Sequence, residues 1–173
     1  MQKLCWEICY GLGVDTPPIK PVGVSEQYDL ISMYTRIAKD FGLPIYQKLE
    51  VGPQSRKVRL RRPLTWGEEA DIYQAILIAI AQTGPASSIR YDDLRDAMNR
   101  ILVKNMPQKH EITSALKQLA LISTKAGKDS GVDWDEDSRK VDISDPYLRF
   151  FLRWQIRRSS DTPLLLDDSA PPV

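Results

Sequence analysis

From Ala70 to Gln82 the chain reads ADIYQAILIAIAQ, a run whose apolar side chains would surround a helix on nearly every side. Such a helix is stable only at the centre of a body, with partners on several sides. The rest of the chain must supply those partners, and 173 residues with 42% hydrophobic content suffice for one ordinary domain or two small ones. TWGE, Thr65 to Glu68, has the spacing of a capping box and predicts the start of this helix, while Gly84 and Pro85 end it.

Partners follow in order. Leu94, Ala97, Met98, Ile101 and Leu102 recur at helical spacing and predict a second helix from about Tyr91–Asp93 to Val103, broken by Asn105 and Pro107. Ile112, Ala115, Leu116 and Leu119 predict a third, beginning after Pro107. LISTKAG (121–127) and RKVDIS (139–144) bracket the polar KDSGVDWDEDS and predict two paired strands. The expectation is a mainly α chain with short β-hairpins, in which a winged helix-turn-helix over about Gly67 to Ser144 is preceded by a small helical and hairpin segment.

A closing helix is expected directly after the wing, with Asp145 as N-cap and Pro146 at its first position. At about 100° per residue, Tyr147, Leu148, Phe150, Phe151, Leu152 and Trp154 fill a broad apolar arc, and Arg149, Arg153 and Arg157 line its edge. The arc should pack on the body and the arginines face solvent or a partner.

Upstream, MQKLCWEICYGLG predicts a helix over about Met1 to Tyr10, with Leu4, Ile8 and Leu12 on one stripe. It opens without a polar lead-in, as an interior helix of a longer protein would. Cys5 and Cys9 fit neither a zinc knuckle nor a CxxC pair and are read as small hydrophobes of a helix face. VDTPPIKPVG is a connector. Ser25 is expected to cap a helix through about Phe41 that Gly42 ends. Leu43 to Val51 and Lys57 to Arg62 flank GPQS and predict a hairpin, with Val58 and Leu60 on one face and Lys57, Arg59 and Arg61 on a solvated basic one. Residues 1–63 thus form an N-terminal segment, 64–158 the winged helix with its closing helix, and 159–173 a flexible acidic tail.

Charge excludes little, since 24 Lys+Arg against 23 Asp+Glu leave a formal +1. No apolar run approaches the roughly 18 residues of a membrane span, and the start lacks a basic region followed by a long apolar one. A cytoplasmic address is expected. No G-x-x-x-x-G-K-[ST] occurs, and GLG at Gly11–Gly13 runs into VDTPP rather than a helix, so no nucleotide site and no cofactor are expected. His110 is the sole histidine, which excludes a multi-histidine metal site and leaves no catalytic constellation. Asp133, Asp135, Glu136 and Asp137 lack the pattern of a calcium loop and read as a solvated hairpin tip.

For nucleic acid, the candidate recognition helix is Gln108 to Leu119. Lys109, His110, Thr113, Ser114, Lys117 and Gln118 are left for base-edge and phosphate contacts, and Arg149, Arg153 and Arg157 are a second candidate set. The acidic wing opposes the usual docking, because a wing that tracks phosphates should be basic. Duplex DNA or another protein domain are the partners in view, with no membrane and no small-molecule substrate.

HEITSALKQLALISTKAGKDSGVDWDEDSRKVDISDPYLRFFLRW, His110 to Trp154, resembles the C-terminal winged-helix region of prokaryotic, especially archaeal-type, AAA/STAND ATPases. The resemblance rests on Ala115, Leu116, Leu119 and Ile122, then Asp145, Pro146, Leu148, Arg149, Phe150 and Trp154. QKLCWEICYGLG is similar to the lid helix of such ATPases. The resemblance implies a lid remnant and winged helix without the P-loop core, hence a non-catalytic module that contacts DNA or other domains. The alternative is a protein-interaction or oligomerisation domain that binds no nucleic acid.

Overall fold

The computed structural model describes residues 2–16, 20, 29–54, 58–84, 86–125 and 131–156. Ser25, Lys57, Arg157, most of the connector and the acidic tail lie outside them. The described chain is mainly helical with two small antiparallel sheets. No described helix is long and apolar enough to cross a membrane.

Helix α1 spans Gln2–Gly11 and α2 spans Leu30–Ile37. Asp29 caps α2, accepting from Ser32 N at 2.9 Å and from the Ser32 hydroxyl. These bonds to its charged form hold the Asp29 carboxyl below the usual carboxylate range. Gly42 does not end this helix. The chain passes through a π turn, π1 (Ala38–Gly42), into α3, Leu43–Val51. The reason is tertiary: a Cβ on Gly42 would collide with Phe151 Cβ and lie 2.6 Å from the Tyr147 carbonyl oxygen, so glycine is there for a close helix approach.

Leu43 to Val51 is therefore helix and not a hairpin strand. Tyr46 and Leu49 bury one face, and Gly52, at φ +63°, ends it. The downstream alternation holds only for Arg61, which is exposed. Val58 is 100% and Leu60 61% exposed, whereas Arg59 turns inward, donating to Val51 O at 2.6 Å, to Pro53 O and to Asp71 Oδ2 at 2.9 Å. Its guanidinium lies 4.7 Å from the Tyr73 ring centroid. Carbonyls at the end of α3 and the carboxylate at the next helix start attract the cation more than water does.

Strand β1 (Arg62–Pro63) pairs with β2 (Glu69–Ala70), and TWGE forms the turn between them, with Gly67 at φ +94°. The capping box lies further on. Asp71 accepts from Tyr73 N and Gln74 N, and Gln74 reciprocates to Asp71 N, opening α4 at Ile72–Gln82. Ala75, Ile76, Leu77, Ala79, Ile80 and Ala81 are buried, as a helix apolar all round requires.

Around α4 come β3 (Ser88–Arg90), α5 (Tyr91–Ile101), α6 (Lys109–Lys125), β4 (Asp133–Asp135), β5 (Lys140–Asp142), α7 (Pro146–Phe151) and a second π turn, π2 (Leu152–Ile156). Leu121 to Lys125 of LISTKAG do not supply a strand, and its last two residues lie outside the described ones. Residues 121–125 continue α6, because Ser123 extends its buried face and accepts Val132 N at 2.8 Å. The ribbon strand falls instead in the polar stretch: Asp133, Trp134 and Asp135 pair with Asp142, Val141 and Lys140. β3, which no sequence signal announced, pairs with the other edge of β5, giving the order β3-β5-β4.

Asp145 caps α7 through Leu148 N at 2.7 Å, with Pro146 in the first turn. Leu148, Phe151 and Leu152 are buried, and Phe150 and Trp154 pack partly buried against the core. Tyr147 lies at the rim, stacked on Phe41. Trp154 also donates to Thr35 Oγ1 at 3.1 Å. Ala38, Tyr46 and Leu49 join the residues of α4 to α7 in a single hydrophobic cluster. Cys5 and Cys9 are exposed and free, not packed hydrophobes.

Candidate interaction face on α6 and the ribbon

The start of α6 is fixed by a buried cation. Arg62, 4% exposed, donates through Nε to Asn105 O at 2.9 Å and places Nη2 3.5 Å from Glu111 Oε1. Glu111 in turn accepts Gln108 N at 2.8 Å, taking up an amide that the helix start leaves over. Asn105 adopts φ +59°, which lets the loop after α5 turn its carbonyl to the guanidinium. A charge this deep is tolerated because its donors find acceptors.

Ile112, Ala115, Leu116 and Leu119 are buried, as their spacing predicts. Lys109, His110, Ser114 and Lys117 are exposed, and Thr113 and Gln118 are half-buried. The Thr113 hydroxyl donates back to Lys109 O at 3.1 Å and His110 O at 3.2 Å, so its donor is used within the helix. Lys117 Nζ lies 2.8 Å from Glu136 Oε2 at the tip of the ribbon. The cation in the middle of this face is already matched by a carboxylate of the same protein.

The tip is built on Asp135, which accepts from the Ser138 hydroxyl at 2.6 Å, Ser138 N at 3.2 Å and Asp137 N at 3.0 Å. The Ser138 bonds, chiefly, hold its carboxyl below the usual range. Asp133 accepts Trp134 N at 2.8 Å, so one amide of the edge strand is occupied by its neighbour's side chain. Arg139, at φ +53°, carries its guanidinium 4.9 Å from the Tyr91 ring centroid and pairs with Asp92 at 3.3 Å. Tyr91 and Trp134 meet at the root of the ribbon with centroids 6.0 Å apart. Burial pushes the Tyr91 phenol up.

The second candidate set stands elsewhere. α7 packs chiefly on π1 and α3, whereas α6 packs chiefly on β4, α4 and α3. Arg149 is half-buried and Arg153 exposed; among the described residues neither forms an ion pair. Both α6 and α7 also contact α3, and Arg153 lies in π2, which packs chiefly on α4 and α7.

A shallow cleft of about 280 Å³ opens beside α5, lined in part by Gln82, Ser88, Asp93, Asp96 and Arg100. Asp93 is held by Arg90 in a two-pronged contact at 2.8 Å, which lowers its carboxyl. No group of three or more His, Cys, Asp or Glu side chains able to hold a metal ion occurs among the described residues.

Arg62 and Glu136 fix the geometry of this face; the sequence placed Glu136 only in a solvated hairpin tip and gave no sign of Arg62. A capping glutamate three residues after Gln108 was legible in principle. That one arginine of RLRRP would be buried was not, because period and composition treat the run alike. No family model, curated protein or solved structure matches the chain.

Proposed function

We propose that the segment from α4 to α7 is a non-catalytic winged-helix module, and that it works by docking on another protein or domain rather than by reading duplex DNA. Helix, strand, two helices and a two-stranded ribbon, in the sheet order β3-β5-β4, support the winged-helix reading. The Lys117–Glu136 pair carries the choice of partner. A face whose central cation is matched by its own wing, beside Asp133, Asp135 and Asp137, gains little by approaching phosphates. The resemblance to the C-terminal regions of AAA/STAND ATPases supports a place beside an ATPase motor and a cytoplasmic address, and the partner is then a neighbouring domain of such an assembly.

A salt titration of binding to random duplex tests this. Little binding at any ionic strength is expected; affinity that falls steeply with salt would overturn the reading. One observation favours DNA as a second reading: half-buried Arg149 of α7 and exposed Arg153 of π2 follow one another along the closing helix. If those arginines contact phosphate, Arg153→Glu lowers duplex affinity and flattens its salt dependence.

A further inference from the structure

Helix α1 carries two faces. Glu7, Ile8 and Leu12 are partly buried, and Glu7 binds Arg36 of α2 at 2.6 Å, which turns this side toward the protein. Cys5, Trp6, Cys9 and Tyr10 occupy the opposite arc and are exposed. Trp6 and Tyr10, 54% and 74% exposed, stack with centroids 5.2 Å apart and form an aromatic wall along the arc. Beside it stand the two thiols, free and one helical turn apart.

We propose that Cys5 and Cys9 form a dithiol site that chelates one soft, thiophilic cation of the zinc and cadmium class. Residues four apart on a helix have Cβ atoms about 5–6 Å apart. A disulfide needs about 3.5–4.5 Å between Cβ atoms, so the intact helix opposes direct S–S closure. Two sulfurs bound to one tetrahedral ion at about 2.3 Å sit roughly 3.8 Å apart, a spacing the two side chains reach by leaning toward each other. Binding forms two metal–sulfur bonds and releases two thiol protons, with no change of oxidation state. Solvent water completes the coordination, since no third ligating group stands in a cluster here among the described residues.

The test titrates the reduced full chain with Cd²⁺, following thiolate-to-metal charge-transfer absorption and the far-ultraviolet circular dichroism. One saturating transition at one ion per chain is expected, with helicity kept. Cys5→Ser and Cys9→Ser should each weaken binding by more than about a hundredfold, the advantage of holding the second ligand at high effective concentration. Single variants that each keep half the signal at an unchanged midpoint would show two independent thiols and overturn the proposal. So would a transition that appears only as helicity is lost. The dithiol claim is independent of the partner of α6, so neither experiment decides the other.

Discussion

The ribbon and the closing helix leave the same body within a few residues of each other, yet different forces hold them. The ribbon buries Val132, Val141 and Ile143 at its root, while its outer half is organised by exposed polar contacts: Asp135 with Ser138, Lys117 with Glu136, Arg139 with Asp92. The closing helix buries Leu148, Phe151 and Leu152 and sets Tyr147, Phe150, Phe151 and Trp154 against Phe41, Tyr34 and Tyr46. Apolar burial yields about 1.5–3 kcal/mol per large side chain and exposed ion pairs a fraction of one. The contrast teaches where change is tolerated: the closing helix is a structural clasp, and the ribbon tip can change with little loss of stability.

The largest effect should come from the clasp. Phe151→Ala removes a buried ring and is expected to cost about 3–5 kcal/mol, read from urea or thermal unfolding. A loss as small as that of a surface change would show that the closing helix is an appendage and end the contrast. Gly42→Ala, which drives a methyl into Phe151 and the Tyr147 carbonyl, should cost about 1–3 kcal/mol by overpacking, seen in the same unfolding curves.

Arg62→Met tests the link between the β1–β2 hairpin and α6. It strips Asn105 O and Glu111 of a buried donor and should lower stability by about 1–2 kcal/mol, with amide exchange rising first at the N-terminus of α6. Glu136→Gln should move stability by less than about 0.5 kcal/mol, because both partners of its pair are half-exposed or more. If Glu136 screens the face, the same change raises affinity for duplex DNA detectably at low salt.

The smallest effect concerns acid. The Asp135 carboxyl is lowered in the folded protein, so its contribution is complete above the ordinary aspartate value of about 3.9 and is lost as pH falls through the lower folded value. Side-chain carboxyl NMR should show Asp135 titrating below the ordinary aspartate value. Asp135→Asn should abolish that late transition while leaving the α7 core resonances in place.

Much of the fold was legible. The buried α4, the inward faces of α5 and α6, and the Asp145–Pro146 start of α7 follow from helical period and capping chemistry, which act over a few residues. The misreadings share one cause. TWGE and the later Asp71–Gln74 pair both carry capping-box spacing, and only the β1–β2 pairing selects between them. Gly42 carries a stop signal that contact with α7 overrides, and Leu121 to Lys125 extends a helix whose Ser123 accepts Val132 N. For the candidate face, the outward residues of α6 could be read from their period. Their electrostatic state could not, because Lys117 and Glu136 are far apart in the chain and meet only when the ribbon folds back.

By itself the sequence determined which segments are apolar, at what period, and where helices find their caps, since these depend on neighbours one or two turns away. Tertiary structure decided which arginines are buried, which cation of α6 is matched, which strand lies between the other two, and that Cys5 and Cys9 face water. Each of these depends on groups remote in sequence that come within reach only after the chain closes around α4, and no local pattern encodes that distance.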